Sequence, residues 1–359
     1  MVDQRKSAQA RQQRRDPYTK QFVDENKKRI ASADQLRQYA NQPTQAHDRP
    51  ISEINDPTEW ADTLTDHVHN GGRTGWFTYR RVKAETDANA LIQVSELHDP
   101  TIDQGLAANP YWAEDRLDDL VDRYYRDDEH RRLIIENMCR RPNMSQQLGD
   151  KCADYMEQAT PKGPYSTDAQ LGYATALAKN PATPSSALAR VESLRSEPDL
   201  LRECMNHPNA TDATIAHAIE RSHDQMLIGD ALHAPNHGWL TVETAIRQGD
   251  PYTVRDAFSD PRIDGNTLRD WESHCSYGNL WAAEGAAANP KLDRGTAFRL
   301  LAYTPGGNDV KRRLAANPNA PEDLLDGLSA SDDPEIRRNL ANNPTVSEHV
   351  RNRLAAELN

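Results

Sequence analysis

Apolar positions in this chain come in short bursts at helical spacing, each closed by a polar step that ends in proline. The clearest example runs from Val310 to Pro344. Leu324, Leu325 and Leu328 give an apolar face at i, i+1 and i+4, with Glu322 and Asp323 in the first turn. A second burst opens at Asp333-Pro334-Glu335, an N-cap followed by proline at the first helical position, and sets Ile336 and Leu340 four apart on one face. The two ends of the stretch rhyme. Arg312-Arg313-Leu314-Ala315-Ala316-Asn317-Pro318 is answered by Arg337-Arg338-Asn339-Leu340-Ala341-Asn342-Asn343-Pro344. A helix does not run through an Asn-Pro step, because the proline ring drives the preceding residue out of the αR region. The unit is helix, turn, helix, break in about 26 residues, too small to bury its own apolar face, so it must stack on copies of itself.

The same anchor recurs upstream: Ala287-Ala288-Asn289-Pro290, Ala234-Pro235, Asn206-His207-Pro208, Ala178-Lys179-Asn180-Pro181, Arg140-Arg141-Pro142 and Ala107-Ala108-Asn109-Pro110, with Ser259-Asp260-Pro261 as a weaker copy. From Pro181 onward the steps are roughly 26 to 29 residues, whereas Pro110 to Pro142 to Pro181 are longer and imply insertions. Arg202, Arg255, Arg312 and Arg338 each precede an anchor proline by six residues, and Cys204, Ala257, Leu314 and Leu340 follow them at core-facing places.

These residues resemble the leucine-rich-repeat-variant family, a bacterial relative of the HEAT and armadillo solenoids. The resemblance is strong from Gly285 to Asn359, fair from Thr175 to Asn209, patchy from Ala210 to Ser276 and degenerate before Asn109. It implies an all-α fold, a right-handed α-solenoid of short helix pairs, and a binding scaffold without a defined reaction. Some members carry an N-terminal cysteine cluster for an iron–sulfur centre; this chain has no close cysteine group, and no cofactor is expected.

Composition fits an array. Hydrophobic content is 36% with only four Phe, and mean hydropathy is −0.88, as thin helical layers with much surface require. Net charge is −12 but uneven. Residues 1–31 carry nine basic side chains against four acidic ones, a net +5, which leaves −17 on the remainder. Cys139, Cys152, Cys204 and Cys275 lie too far apart for a zinc or haem motif, and Cys204 reads as a small buried hydrophobe. No apolar run follows the first charges, and none approaches 18 residues. The expectation is a soluble protein of the cytoplasm, or a component of a phage particle, with no membrane contact.

Along the chain, residues 1–50 read as a polar, basic extended arm, disordered or ordered on binding, with Tyr18, Phe22 and Ile30 as its apolar anchors. Residues 51–100 read as a helical cap. Asp56 is its N-cap, Pro57 takes N1, Trp60, Leu64 and Val68 share a face, and Asn70-Gly71-Gly72 stop the helix. The segment Gly75 to Val82 has strand propensity yet equally suits the start of a helix. Asp87 to Leu97 is helical, and Asp99-Pro100 restarts the chain. Residues 101–359 form the repeat array.

Candidate chemistry is sparse. His67 and His69 flank Val68 and point to different faces of a helix. His207, His217, His223, His233, His237 and His274 are scattered, with no H-x-x-x-H or H-E-x-x-H pair. Trp112, Trp239, Trp271 and Trp281, with Tyr111, Tyr124, Tyr125, Tyr252 and Tyr277, fill spaces between irregular repeats on the simpler reading. On the sharper one they line a concave face, as in HEAT-like DNA glycosylases, which needs a basic groove that an acidic body lacks. Each anchor Asn sits where its amide can bond freed carbonyls or the next repeat's backbone, forming a ladder. The repeated arginines either pair with acids of neighbouring repeats or line a surface for an acidic partner.

The sequence therefore points to a non-enzymatic protein–protein scaffold or structural subunit, bound to a protein partner or to copies of itself. Its partner-contacting residues would be Arg5, Lys6, Arg11, Arg14, Arg15, Tyr18 and Phe22 of the arm and Arg202, Arg255, Arg312 and Arg338 of the array. The alternatives are a nucleic-acid-associated protein using the basic arm and a glycosylase-type enzyme.

Overall fold

The computed structural model describes residues 51–159, 169–222, 224–271, 280–303 and 307–358. Every regular element among them is helical: 21 α-helices and one short 3-10 turn, with no strand. The segment of uncertain type is the Trp76–Ala84 helix. The arm lies outside the described residues, with its candidates Arg5, Lys6, Arg11, Arg14, Arg15, Tyr18 and Phe22. So do His223, His274, Cys275 and Tyr277.

Local signals place the helices. Asp56 accepts from Glu59 N at 2.8 Å and starts the Pro57–His69 helix, which Asn70 ends. Asp99, Asp250 and Asp333 cap helices that begin with proline, each accepting from backbone N–H groups of the first turn. A capping carboxylate satisfies donors that have no intrahelical partner and sits at the positive end of the helix dipole.

The chain divides into two compact units, one ending at Ile134 and the other beginning at Ile135. In the first unit, the Pro57–His69 helix packs on Ala88–Ser95 and the Trp76–Ala84 helix on Pro100–Ala108. In the second, helices alternate in the same way. Asp212–Ser222 packs on Trp239–Gln248, Pro251–Ser259 on Leu280–Ala288, and Gly307–Ala316 on Pro334–Asn342. Each helix thus meets the like helix of the adjacent pair. At Gly285 a Cβ would come within 2.2 Å of the Arg255 carbonyl, so the two helices there approach more closely than any side chain permits.

One apolar cluster runs continuously from Leu201 to Leu354. The core-facing places expected from the repeat, Cys204, Ala257, Leu314 and Leu340, are fully buried, as is Ile336. Trp112 and Trp271 are buried plugs, but Tyr111, Tyr125 and Tyr252 stand exposed and fill no interior space.

Candidate interaction surface

The anchors form the ladder, and it points backwards. Asn343 donates from Nδ2 to the carbonyls of Ala315 and Asn317, at 2.8 and 3.0 Å, and accepts at Oδ1 from Thr345 N. Asn317 does the same to Ala287 and Asn289, and Asn289 to Phe258 and Asp260. Asn180 reaches Cys139 and Arg141. In the first unit Asn109 reaches Val82 and Glu85, inside the stretch read as a cap. Each amide serves the preceding anchor rather than the next. Its carbonyl oxygen meanwhile holds its own turn, so one side chain satisfies three backbone groups.

At two anchors without Asn, a histidine supplies one of its bonds. His207 accepts at Nδ1 from Asn209 N, which leaves Nε2–H to donate to the Asn180 carbonyl at 2.7 Å. At the next anchor Ala234 has no polar side chain, and the nearby Asn236 donates to a different pair of carbonyls, Pro208 and Ala210, as Asn209 does to Pro181 and Thr183 one repeat earlier. Asp260 accepts from Arg262 N as an Asn would, but a carboxylate has no hydrogen to donate. His237 fills the gap. Its Nδ1–H donates to the Ala234 carbonyl at 2.7 Å, and Nε2 lies 2.8 Å from both Asp260 Oδ2 and Arg262 Nη1. The buried histidines are therefore parts of the ladder, and no cluster of three or more metal-ligating side chains occurs among the described residues.

The repeated arginines divide. Arg202 bonds Asp230 of the following pair at 3.0 Å, and Arg312 bonds Asp333 at 2.8 Å. Arg255 pairs with its neighbour Asp256 and lies over the rings of Tyr252 and Trp281. Arg338 is exposed, with no side-chain partner among the described residues. Further arginines tie like helices together: Arg190 to Asp154 and Glu157, Arg221 to the Ser193 carbonyl, Arg247 to Glu220, and Arg294 to Asp323. Pairing with an acid of the following pair thus accounts for two of the four, Arg202 and Arg312.

Two surfaces carry exposed aromatic side chains beside charge. In the second unit, Met226, Tyr252 and Trp281 stand eight residues before successive anchors; Met226 is 75% and Tyr252 58% exposed. Tyr252 and Trp281 touch, with ring centroids 4.7 Å apart. Asp230, Asp256 and Glu284 lie on the same three helices. Glu284 occupies the place that Arg255 and Arg312 fill in their repeats. Burial pushes its carboxyl above the usual carboxylate range, and nearby Asp309 adds to this against Arg313 and Arg255.

The second surface went unremarked in the sequence. Between His67 and Ala84 there is no acidic residue, while Arg73, Arg80, Arg81 and Lys83 bracket Trp76 and Tyr79. Trp76 is 55% exposed and stacks on Tyr79, with centroids 5.3 Å apart and planes 19° apart. Arg81 turns inward, pairs with Glu85 at 2.6 Å and lies over the Trp60 ring. Arg73, Arg80 and Lys83 are exposed and have no side-chain partner among the described residues.

Cys139, Cys152 and Cys204 are buried free thiols, and burial pushes Cys204 up to about 12, so it behaves as an inert hydrophobe. No described helix is long and apolar enough to cross a membrane. No family model, no curated protein and no solved structure matches this chain.

Proposed function

We propose that the chain is a non-enzymatic protein-binding scaffold, with its repeats wound as a right-handed α-solenoid of short helix pairs. The reading is supported above all by the ladder. Each rung joins only adjacent anchors, so helix pairs can be added without closing a separate core, and like helices line up along one face. On that face Met226, Tyr252 and Trp281 present a strip of aromatic and sulfur-bearing side chains, the residue types that dominate protein interfaces. The basic arm acts as a tether on a second protein or on a copy of this chain, in the cytoplasm or within a phage particle. The resemblance to leucine-rich-repeat-variant proteins agrees with this role.

A photo-crosslinking residue at position 252, compared with one at Tyr111, tests the strip in the native cytoplasm. Crosslinks to one discrete protein from position 252, lost in a Met226→Ser, Trp281→Ser chain, are expected. Equal labelling from both positions, unaffected by those substitutions, contradicts the reading.

A further inference from the structure

The first unit carries a positive, aromatic surface in an otherwise acidic body. We propose that the exposed stripe of the Trp76–Ala84 helix binds single-stranded nucleic acid, with one base stacked on Trp76 and the flanking phosphates held by Arg80, Lys83 and Arg73. The proposal stands apart from the scaffold reading, which concerns another surface.

Geometry carries it. Trp76, Arg80 and Lys83 fall at i, i+4 and i+7, so they share one stripe of the helix. All three are exposed, and neither cation is engaged by an acid among the described residues. Tyr79 stacks on the indole, which nevertheless stays more than half exposed. A stacked ring beside cations that no described acid engages matches an unstacked base next to its phosphates, and base–aromatic stacking tolerates any sequence. Duplex DNA hides its bases and gains only the charge contacts. A lipid surface fits less well, because Val82 is buried and Trp76 is the one large apolar side chain exposed on the stripe among the described residues. An acidic peptide would use the cations and leave the ring idle. The negative charge of the body does not forbid contact, because at physiological salt its field is screened beyond about 8 Å.

The test uses the full chain and a fluorescein-labelled 15-mer of deoxythymidine, read by anisotropy, with tryptophan emission followed in parallel. Binding with quenched emission is expected. Trp76→Ala should weaken it roughly tenfold, and Trp76→Phe should restore most of the loss. Arg80→Gln with Lys83→Gln should lower the salt slope by about 1.4, the value for two phosphate contacts on a single strand. Lys291→Gln, on the second unit, should change nothing. Circular dichroism confirms that each variant is folded. The proposal is overturned if the 15-mer does not bind, or if Trp76→Ala leaves its affinity unchanged, the result expected of the basic arm acting alone. It is also overturned if heparin, polyglutamate or phosphatidylserine vesicles depend on Trp76 as strongly as the 15-mer does.

Discussion

An asparagine before a proline does more here than end a helix. Asn317 is almost fully buried, and its amide is the partner of the Ala287 and Asn289 carbonyls and of Asn319 N. Asn317→Ala should therefore cost about 3 kcal/mol in denaturant unfolding, since each buried group left without a partner costs about 1–3 kcal/mol. Asp260 shows how a rung survives without an amide, because His237 serves the Ala234 carbonyl in its place. His237→Ala should destabilise the chain by about 2 kcal/mol. Adding Asp260→Asn should return most of that loss, because the new amide can donate where the imidazole did. A double-mutant cycle that is purely additive contradicts this exchange. Glu284 presents the opposite case. Its raised folded pKa means that its favourable contribution exists below the unfolded value and is lost as pH rises through the folded one. Glu284→Gln should accordingly raise the melting temperature at pH 7, with the gain fading as the pH is brought down into the carboxylate range. The ladder was legible as anchors in the sequence, but its direction was not. Which carbonyls an amide meets depends on how adjacent turns stack, and a list of spacings does not encode that.

Among the elements, a carboxylate of one repeat caps a helix of the next. Asp212 opens its own helix and also accepts from Gly238 N, Leu240 N and Thr241 N, at 2.7, 2.8 and 3.0 Å. A Cβ at position 238 would lie 2.6 Å from Asp212 Oδ2, so glycine is needed for the approach. Burial alone would raise Asp212, but hydrogen bonds from Thr241, Leu240 and Gly238 outweigh it and hold the carboxyl below the usual range. Its contribution is thus present above the unfolded pKa and lost as pH falls through the lowered folded value. Asp212→Asn should cost about 1 kcal/mol at pH 7, and the difference from the parent should close as the pH drops below roughly 4. Element boundaries were largely readable, because Asp56, Asp99 and Asp333 announce helix starts through cap chemistry alone. The Trp76–Ala84 helix was ambiguous for a physical reason. Trp, Phe, Thr, Tyr and Val suit a strand in isolation, and only packing on Pro100–Ala108 selects the helix. Its basic and aromatic residues were equally visible. Without the helix, however, nothing placed Trp76, Arg80 and Lys83 on one exposed stripe.

For the molecule as a whole, the consequence of rungs between adjacent anchors is that stability in the second unit propagates by neighbours. Leu314→Ala and Leu340→Ala should each loosen the C-terminal repeats by roughly 2–5 kcal/mol, with little effect on helices several repeats away. The candidate interaction surfaces were less legible than the array. Met226, Tyr252 and Trp281 are far apart in sequence, and only the register of successive anchors brings them to equivalent places. The arm candidates from Arg5 to Phe22 lie outside the described residues. The most direct measurement of the central claim is native-state hydrogen exchange on Asn343→Ala, which removes the last rung alone. The account predicts faster exchange confined to residues 307–358, with the amides of Asp212–Ser222 and Pro251–Ser259 unchanged. An equal rise across the whole second unit would show that it opens as one cooperative core, and the repeat account would be wrong.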